Sequence, residues 1–462
     1  MSGSSVASQR AVLIASTITA FLSPFMISGV NIILPAIQNA FPSGAVLLSQ
    51  VSAVYLLSTA VFLIPAGKLA DIYGRKRCFS LGILGFTLAT IGAALSFSMP
   101  VLLLMRALQG AAGAFMVTNG TAILTSVFPP SERGKALGIN TAAVYVGSSA
   151  GPFIGGFLSS LAGWRSIFIL NALVGVISYF LVRRLEGEWK GSPGDRLDIS
   201  GSLIYAAALL CCMTGAPILT EVRGAVLCAV GAVLLVLFAR RQLRIAQPVF
   251  DVRLFAENRI FAFSSIAALI NYSATFSVAF LLSLYLQTIR GMTPHQAGLL
   301  LVIQPALQAI ISPLSGRLSD RIEPRVLATL GMGLTAAGLF VLSLLGSASS
   351  AHLVACALFL LGTGFGLFSS PNMSAIMGAV ESDRYGMASA CISSMRLMGQ
   401  MLSMAVTALS FTVFLGTAAV SAETAAPFIS ALRVSYTVAG ALCVTGIWFS
   451  LARGRIRRGT AL

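Results

Sequence analysis

Acidic side chains are scarce in this chain. Only 14 Asp and Glu stand among 462 residues, against 30 Lys and Arg, and charged residues of all kinds make up 10% of the sequence, well under the roughly 25% of an ordinary soluble domain. A chain so poor in charge and 57% hydrophobic cannot have water as its main solvent. Histidine is nearly absent, with His295 and His352 far apart, and the 7 cysteines fall in apolar stretches or, for Cys78, at the edge of one. No metal site is expected from that spacing, and an odd number of thiols kept out of hydrophilic loops implies no disulfide framework. A Gly-x-x-x-x-Gly-Lys-[Ser/Thr] loop is missing, because Gly67-Lys68 and Gly134-Lys135 are followed by Leu69 and Ala136; no ATP site is expected. No grouping of nucleophile, base and oxyanion donors is apparent, so neither an enzyme nor a cofactor is expected.

Long apolar runs are abundant instead. A bilayer core takes about 20 apolar residues per helix, and hydropathy predicts fourteen spans, at 12–37, 46–66, 78–98, 101–124, 136–158, 166–182, 198–216, 224–239, 260–286, 296–316, 326–345, 352–377, 386–415 and 430–452. The predicted fold class is therefore an all-α membrane protein. The first run is too long for a signal peptide and is kept as a mature helix. Most Lys and Arg lie at the N-terminus, after even-numbered spans and at the C-terminus, while Arg165, Arg223 and Arg290 stand in the opposite loops. By the positive-inside bias, both termini are expected in the cytoplasm of a multi-pass cell-membrane protein. Orientation accounts for the net charge of +16; the partner is the lipid bilayer, and no nucleic acid is implied.

The sequence repeats itself. Gly67-Lys68-Leu69-Ala70-Asp71 matches Gly316-Arg317-Leu318-Ser319-Asp320, and Glu132-Arg133-Gly134 matches Asp383-Arg384-Tyr385-Gly386. Two six-helix halves, 1–182 and 260–462, are predicted around a central insert, 183–259, with two helices and basic flanks. Parallel repeats of this kind put a substrate site between the halves near the midplane, reached alternately from each side.

Three stretches carry chemistry. In Gly67 to Arg77, a glycine permits close helix approach, Asp71 can sit at a helix N-terminus or face an arginine, and the basic run anchors the loop; Gly316 and Asp320 repeat the pattern. Arg106, in Arg106-Ala107-Leu108-Gln109-Gly110, sits within an apolar run, where an arginine costs about 2.5–3.5 kcal/mol on insertion scales and faces a bundle interior or wet cavity. The plainer alternative is an arginine satisfied by backbone carbonyls. Gly147, Gly151, Pro152, Gly155 and Gly156 strip one helix face for tight packing and bend it.

Together these stretches resemble the major facilitator superfamily. With fourteen helices, the insert, Pro248 to Phe255 and Gly163-Trp164-Arg165, the chain resembles the fourteen-helix branch of the drug:proton antiporters over nearly its whole length. The resemblance implies a major-facilitator-like fold, a gating loop at Gly67, Asp71, Arg75, Gly316 and Asp320, a proton-coupling arginine at Arg106, and an antiporter motif at Gly147 to Gly156 that in this superfamily marks mainly exporters.

One departure stands out. The branch carries an aspartate ahead of an Asn-x-x-Leu-Pro element, here Asn31 to Pro35; the corresponding position falls near Met26, and every acidic residue lies in a loop or at a span end. The polar cavity candidates are Arg106, Arg396 and Arg433 with the amides Asn31, Gln109, Asn119, Asn271, Gln304, Gln308, Asn372 and Gln400, and Tyr145, Tyr272 and Tyr285 as aromatics. Gln304/Gln308 and Arg396/Gln400 are each four apart and share helix faces. Such a set suits a neutral or anionic amphiphile better than a lipophilic cation. The expected function is an exporter of small amphiphilic or drug-like molecules, working by alternating access as proton-linked antiport, with a small-molecule substrate and protons as partners. Two alternatives are an exporter or facilitator of an anionic or weak-acid metabolite without classical proton coupling, and a transport-dead membrane sensor or scaffold.

Overall fold

The computed structural model describes residues 6–185, 187–189, 197–245, 252–319, 321–380 and 385–454. Asp320, the carboxylate of the second gating repeat, lies outside the described residues. The elements are helices: α1 (Val6–Ala40), α2 (Ala45–Tyr73), α3 (Arg75–Ala94), α4 (Met99–Val127), α5 (Pro130–Ala162), α6 (Arg165–Arg183), α7 (Ile199–Gly215), α8 (Val222–Arg244), α9 (Arg253–Glu257), α10 (Arg259–Thr275), α11 (Ser277–Leu284), α12 (Pro294–Leu301), α13 (Ile303–Leu318), α14 (Pro324–Ser343), α15 (Ala351–Gly378), α16 (Tyr385–Phe414) and α17 (Ala425–Ala452). A helix satisfies its own backbone hydrogen bonds, which is why an apolar chain in lipid adopts it throughout. Internal prolines at Pro24, Pro35, Pro65, Pro152, Pro313 and Pro371 are carried within these helices.

Thirteen helices among the described residues are long and apolar enough to cross a membrane, against fourteen predicted spans. The span expected at 136–158 is present as the 33-residue α5 but is not one of the thirteen; its run of Gly and Ser dilutes its apolarity. Large side chains lie open on the surface, among them Leu95 at 74% and Phe97 at 79%, an exposure that only lipid makes inexpensive. Two predicted spans run on as single helices with one irregular turn each, at Phe276 and at Val302, both residues keeping helical dihedrals; the first ends in a π-helical turn over Tyr285–Ile289.

Contacts divide the chain into two compact units. Unit 1 comprises Met1–Ser43, Gln50–Leu210 and Thr293–Leu299; unit 2 comprises Gly44–Ser49, Cys211–Met292 and Leu300–Leu462. Within unit 1, α1 packs along α5 and α6, and α3 against α4 and α6; within unit 2, α14 packs against α15 and α17, α13 against α15, and α10 against α16 and α17.

Candidate functional site

Arg106 is the centre of the polar network in unit 1. It lies two turns into α4 and is 1% exposed. Its Nε donates to the Val51 carbonyl at 3.0 Å, its Nη1 donates to Gln109 Oε1, and its Cζ lies 4.3 Å from the Tyr55 ring centroid. Gln109 Nε2 donates to Thr90 Oγ1 at 2.6 Å, and the Tyr55 hydroxyl pairs with Ser23 Oγ at 2.7 Å. Beside Val51, Ser52 Oγ donates to Asn31 Oδ1 at 3.0 Å. Helices α1, α2, α3 and α4 thus converge on one guanidinium. Its partners are a carbonyl, an amide and a π face, so the positive charge is solvated without a carboxylate; a desolvated cation–π contact supplies about 2 kcal/mol of this.

The glycines that follow Arg106 explain how α2 comes so close. A Cβ on Gly110 would strike the Tyr55 carbonyl, and one on Gly113 would meet the Tyr55 hydroxyl at 3.1 Å. Ser58 Oγ donates to Ala107 O at 2.6 Å and Thr59 Oγ1 to Gly110 O at 3.1 Å, fastening the two helices along that face.

The glycines of α5 form a second contact surface. A Cβ on Gly147 would meet the Phe21 carbonyl at 2.5 Å; one on Gly151 would strike Ser28 Oγ and meet Gly29 N and Phe25 O at 2.8 Å. Gly155 faces Ile32 and Ile167, while Gly156 faces Pro294 and His295. Pro152 has its carbonyl against Gly298. The His295 ring lies edge-on to Phe157 at 5.8 Å. The small residues therefore seat α1 on one side of α5 and the start of α12 on the other.

At the α2–α3 turn, Arg75 pairs with Asp71 at 2.9 Å and donates to Ser126 Oγ at 2.6 Å, tying the turn to the end of α4. Gly74 has φ of +119°, a conformation that glycine adopts without strain, and the segment after α6 lies over it. Arg75 N donates to Trp189 O at 2.8 Å, Lys76 N donates to Glu188 Oε1 at 2.8 Å, and Lys76 Nζ donates to Leu185 O. Glu188 and Trp189 carry no sequence signal for this role, since they reach the turn from more than a hundred residues away. Gly67 differs from expectation: a Cβ there would meet nothing within 4 Å, so no close helix approach depends on it in this conformation. Gly316, its repeat, does face a neighbour, with Ser370 Oγ at 2.6 Å from its would-be Cβ.

In unit 2 the predicted polar residues separate into struts and unengaged groups. Arg433 Nε donates to Leu345 O at 2.9 Å, the Tyr285 hydroxyl donates to Gly346 O at 2.7 Å, and Tyr272 lies edge-on to Phe365. Asn271 is fully buried, and among the described residues neither of its side-chain polar atoms has a hydrogen-bond partner. In unit 1, Asn119 Nδ2 donates within its own helix, to Phe115 O at 2.7 Å and Thr118 Oγ1 at 3.5 Å, and Tyr145 is half-buried. Arg396 and Gln400, one turn apart on α16, are half-buried, as is Gln308 on α13, while Gln304 is buried. Among the described residues, the Arg396 guanidinium makes no hydrogen bond or ion pair, and no hydrogen bond joins the α16 pair to the α13 pair.

A family model described as Major Facilitator Superfamily matches residues 16–404 and 264–460. The multidrug resistance protein Stp of Mycobacterium tuberculosis is 35% identical over 383 residues, covering 82% of this chain and 71% of that protein. The riboflavin transporter RibZ of Clostridioides difficile is 29% identical over 440 residues, covering 94% and 95%. The tetracenomycin C resistance and export protein of Streptomyces glaucescens is 29% identical over 385 residues, covering 80% and 70%. Among solved structures, a bacterial homologue of the human lysosomal transporter Spinster superposes with a TM-score of 0.72 at 16% identity, covering 98% of both chains.

Proposed function

The chain belongs to the Major Facilitator Superfamily, and on that premise we propose that this secondary transporter exports small amphiphilic, drug-like molecules by alternating access, driven by protons moving the other way. It is a multi-pass membrane transporter and not an enzyme. Its organisation as halves 1–182 and 260–462 around the insert 183–259, with α5 as a fourteenth crossing and both termini cytoplasmic, belongs to the same proposal.

The observation that carries the substrate reading is the contrast between two intramembrane arginines, Arg106 and Arg396. Arg106 is consumed by neutral partners, whereas Arg396 is half-buried and makes no bond to a described residue. No acidic residue lies mid-helix in a described span, Asp71 being two residues from the end of α2. A substrate head group meeting this surface finds a cation and amides, which attract carboxylates, phenolates and polar neutral groups and repel lipophilic cations. Export is supported by the α5 glycine series and by the exporters among the relatives, Stp and the tetracenomycin C protein.

A second reading, a narrow carrier of a metabolite, is favoured by coverage. RibZ, a riboflavin transporter, matches over 95% of its own length, against 71% for Stp. The experiment that separates the readings is accumulation of anionic, neutral and cationic fluorescent amphiphiles in an efflux-deficient host, with and without protonophore. Protonophore-sensitive exclusion of neutral or anionic dyes by wild type, lost in Arg396→Ala, supports the exporter. Unchanged accumulation of every dye, together with flavin flux across the membrane, moves the weight to the metabolite carrier.

A further inference from the structure

Among the described residues, two arginines head the largest fully buried side chains, Arg106 and Arg453, each 1% exposed. Sequence pattern marks the first as an intramembrane charge, but the second reads as one more cation of the basic C-terminal tail. The structure turns it inward at the end of α17. Arg453 Nη1 donates to Asn372 Oδ1 at 2.8 Å and to Ser264 Oγ at 3.2 Å. The amide is held in that orientation, since Asn372 Nδ2 donates to the Ser264 carbonyl at 3.0 Å. The starts of α10 and α14 and the ends of α15 and α17 meet at this place in unit 2.

The other side of the guanidinium is idle. Arg453 Nε and Nη2 are both buried, and neither has an acceptor among the described residues. These two nitrogens share one edge of the planar group, and their N–H bonds run side by side, the arrangement that takes two oxygens of a carboxylate or phosphate at once. Arg106, equally buried, has its Nε and Nη1 engaged and a ring face under its Cζ; Arg453 lacks this second set of partners. No carboxylate of a described residue forms an ion pair with it. Burial draws its pKa from the ordinary arginine value down to about 10, with Glu323 pulling the other way and Arg325 adding to the fall, so it remains cationic at neutral pH.

Among the described residues, Glu323 and Arg325 at the start of α14 act on Arg453 with opposite signs. Gly454, next along the chain, has φ of +98°, and among the described residues a Cβ on it would meet Ile260 at 4.0 Å.

We propose that Arg453, held by Ser264 and Asn372, is an oxyanion-binding site in unit 2, its Nε–Nη2 edge receiving two oxygens of a phosphate group. The phosphate is either free in solution or carried on an anionic lipid. The site is distinct from the Arg106 network and does not depend on which substrate is exported.

The test is thermal unfolding of the full-length protein in neutral detergent, titrated with sodium phosphate against sodium chloride at equal ionic strength. The expected result is a saturable rise in the unfolding midpoint with phosphate for wild type and none for Arg453→Gln. Arg453→Lys keeps the charge but not the fork, and its response is expected to need about tenfold more phosphate or more; it decides the matter if Arg453→Gln does not fold. A parallel arm in lipid nanodiscs compares phosphatidylcholine alone with added phosphatidylglycerol. Stabilisation by phosphatidylglycerol that Arg453→Lys weakens assigns the phosphate to lipid, and stabilisation by free phosphate alone assigns it to solution. The proposal is overturned if neither phosphate source shifts wild type, or if the variants respond as wild type does.

Discussion

Adding one methyl group at Gly151 should damage this protein, while adding the same group at Gly67 should not. At Gly151 the new Cβ strikes Ser28 Oγ and comes to 2.8 Å from both Gly29 N and Phe25 O. Ser28 can rotate away, at the loss of its bond to Pro24 O at 2.8 Å, a net cost of about 0.5–1.5 kcal/mol. The two backbone atoms cannot rotate, so α1 must retreat by about 0.6 Å to reach an ordinary 3.4 Å separation. Overpacking of this kind costs about 1–3 kcal/mol. At Gly67 the would-be Cβ has open space, and φ there is not positive, so Gly67→Ala is expected within about 0.5 kcal/mol of wild type. Heating the detergent-solubilised variants and scoring the monodisperse fraction measures the difference directly. Equal melting of Gly151→Ala and wild type would refute the claim that the α5 glycines exist to seat α1.

Gln109→Leu leaves the Arg106 Nη1 without its amide acceptor and should cost about 1.5–3 kcal/mol of stability, with loss of protonophore-sensitive efflux, checked by melting and dye accumulation on the same preparation. Arg396→Ala removes a half-buried charge without a partner in the described structure; melting should move little while export of anionic dyes falls at least about tenfold, so a large melting shift would mark Arg396 as a structural strut. Arg75→Gln breaks a pair with Asp71 that is partly exposed, at 21% and 34% for the two side chains, and worth under about 1 kcal/mol. Its melting should stay near that of wild type while transport rate falls, and unaltered transport would remove the gating role from that turn.

Much of the fold was legible because it follows from chain-wide quantities. Charge scarcity, apolar runs and the Gly67–Asp71 and Gly316–Asp320 repeat predict an all-helical membrane protein without knowledge of a single contact. The irregular turn at Val302 has a local signal, since Pro305 cannot donate to the Leu301 carbonyl one turn back, whereas that at Phe276 has neither glycine nor proline beside it and was not legible. Arg106 and Gln109 could be picked out because a charge in an apolar run must be solvated by something. What solvates them could not, since Val51, Tyr55 and Thr90 sit on other helices and look like ordinary membrane residues. Arg453 shows the reverse error, as a basic residue next to a basic tail satisfies the topology rule and so attracts no attention, yet the fold buries it. Gly67 matches its motif in sequence but makes no close contact, whereas the α5 glycines match theirs and are filled by neighbouring backbone on two sides.

The most direct measurement is transport in proteoliposomes holding the purified protein, loaded with a neutral, an anionic or a cationic amphiphilic dye and exposed to an imposed pH gradient. A proton-driven exporter without an intramembrane carboxylate should move the neutral or anionic dye against its gradient, with proton flux in the opposite direction, and both fluxes should vanish in Arg106→Ala. Preferential movement of the cationic dye, or dye flux indifferent to the pH gradient, would contradict it.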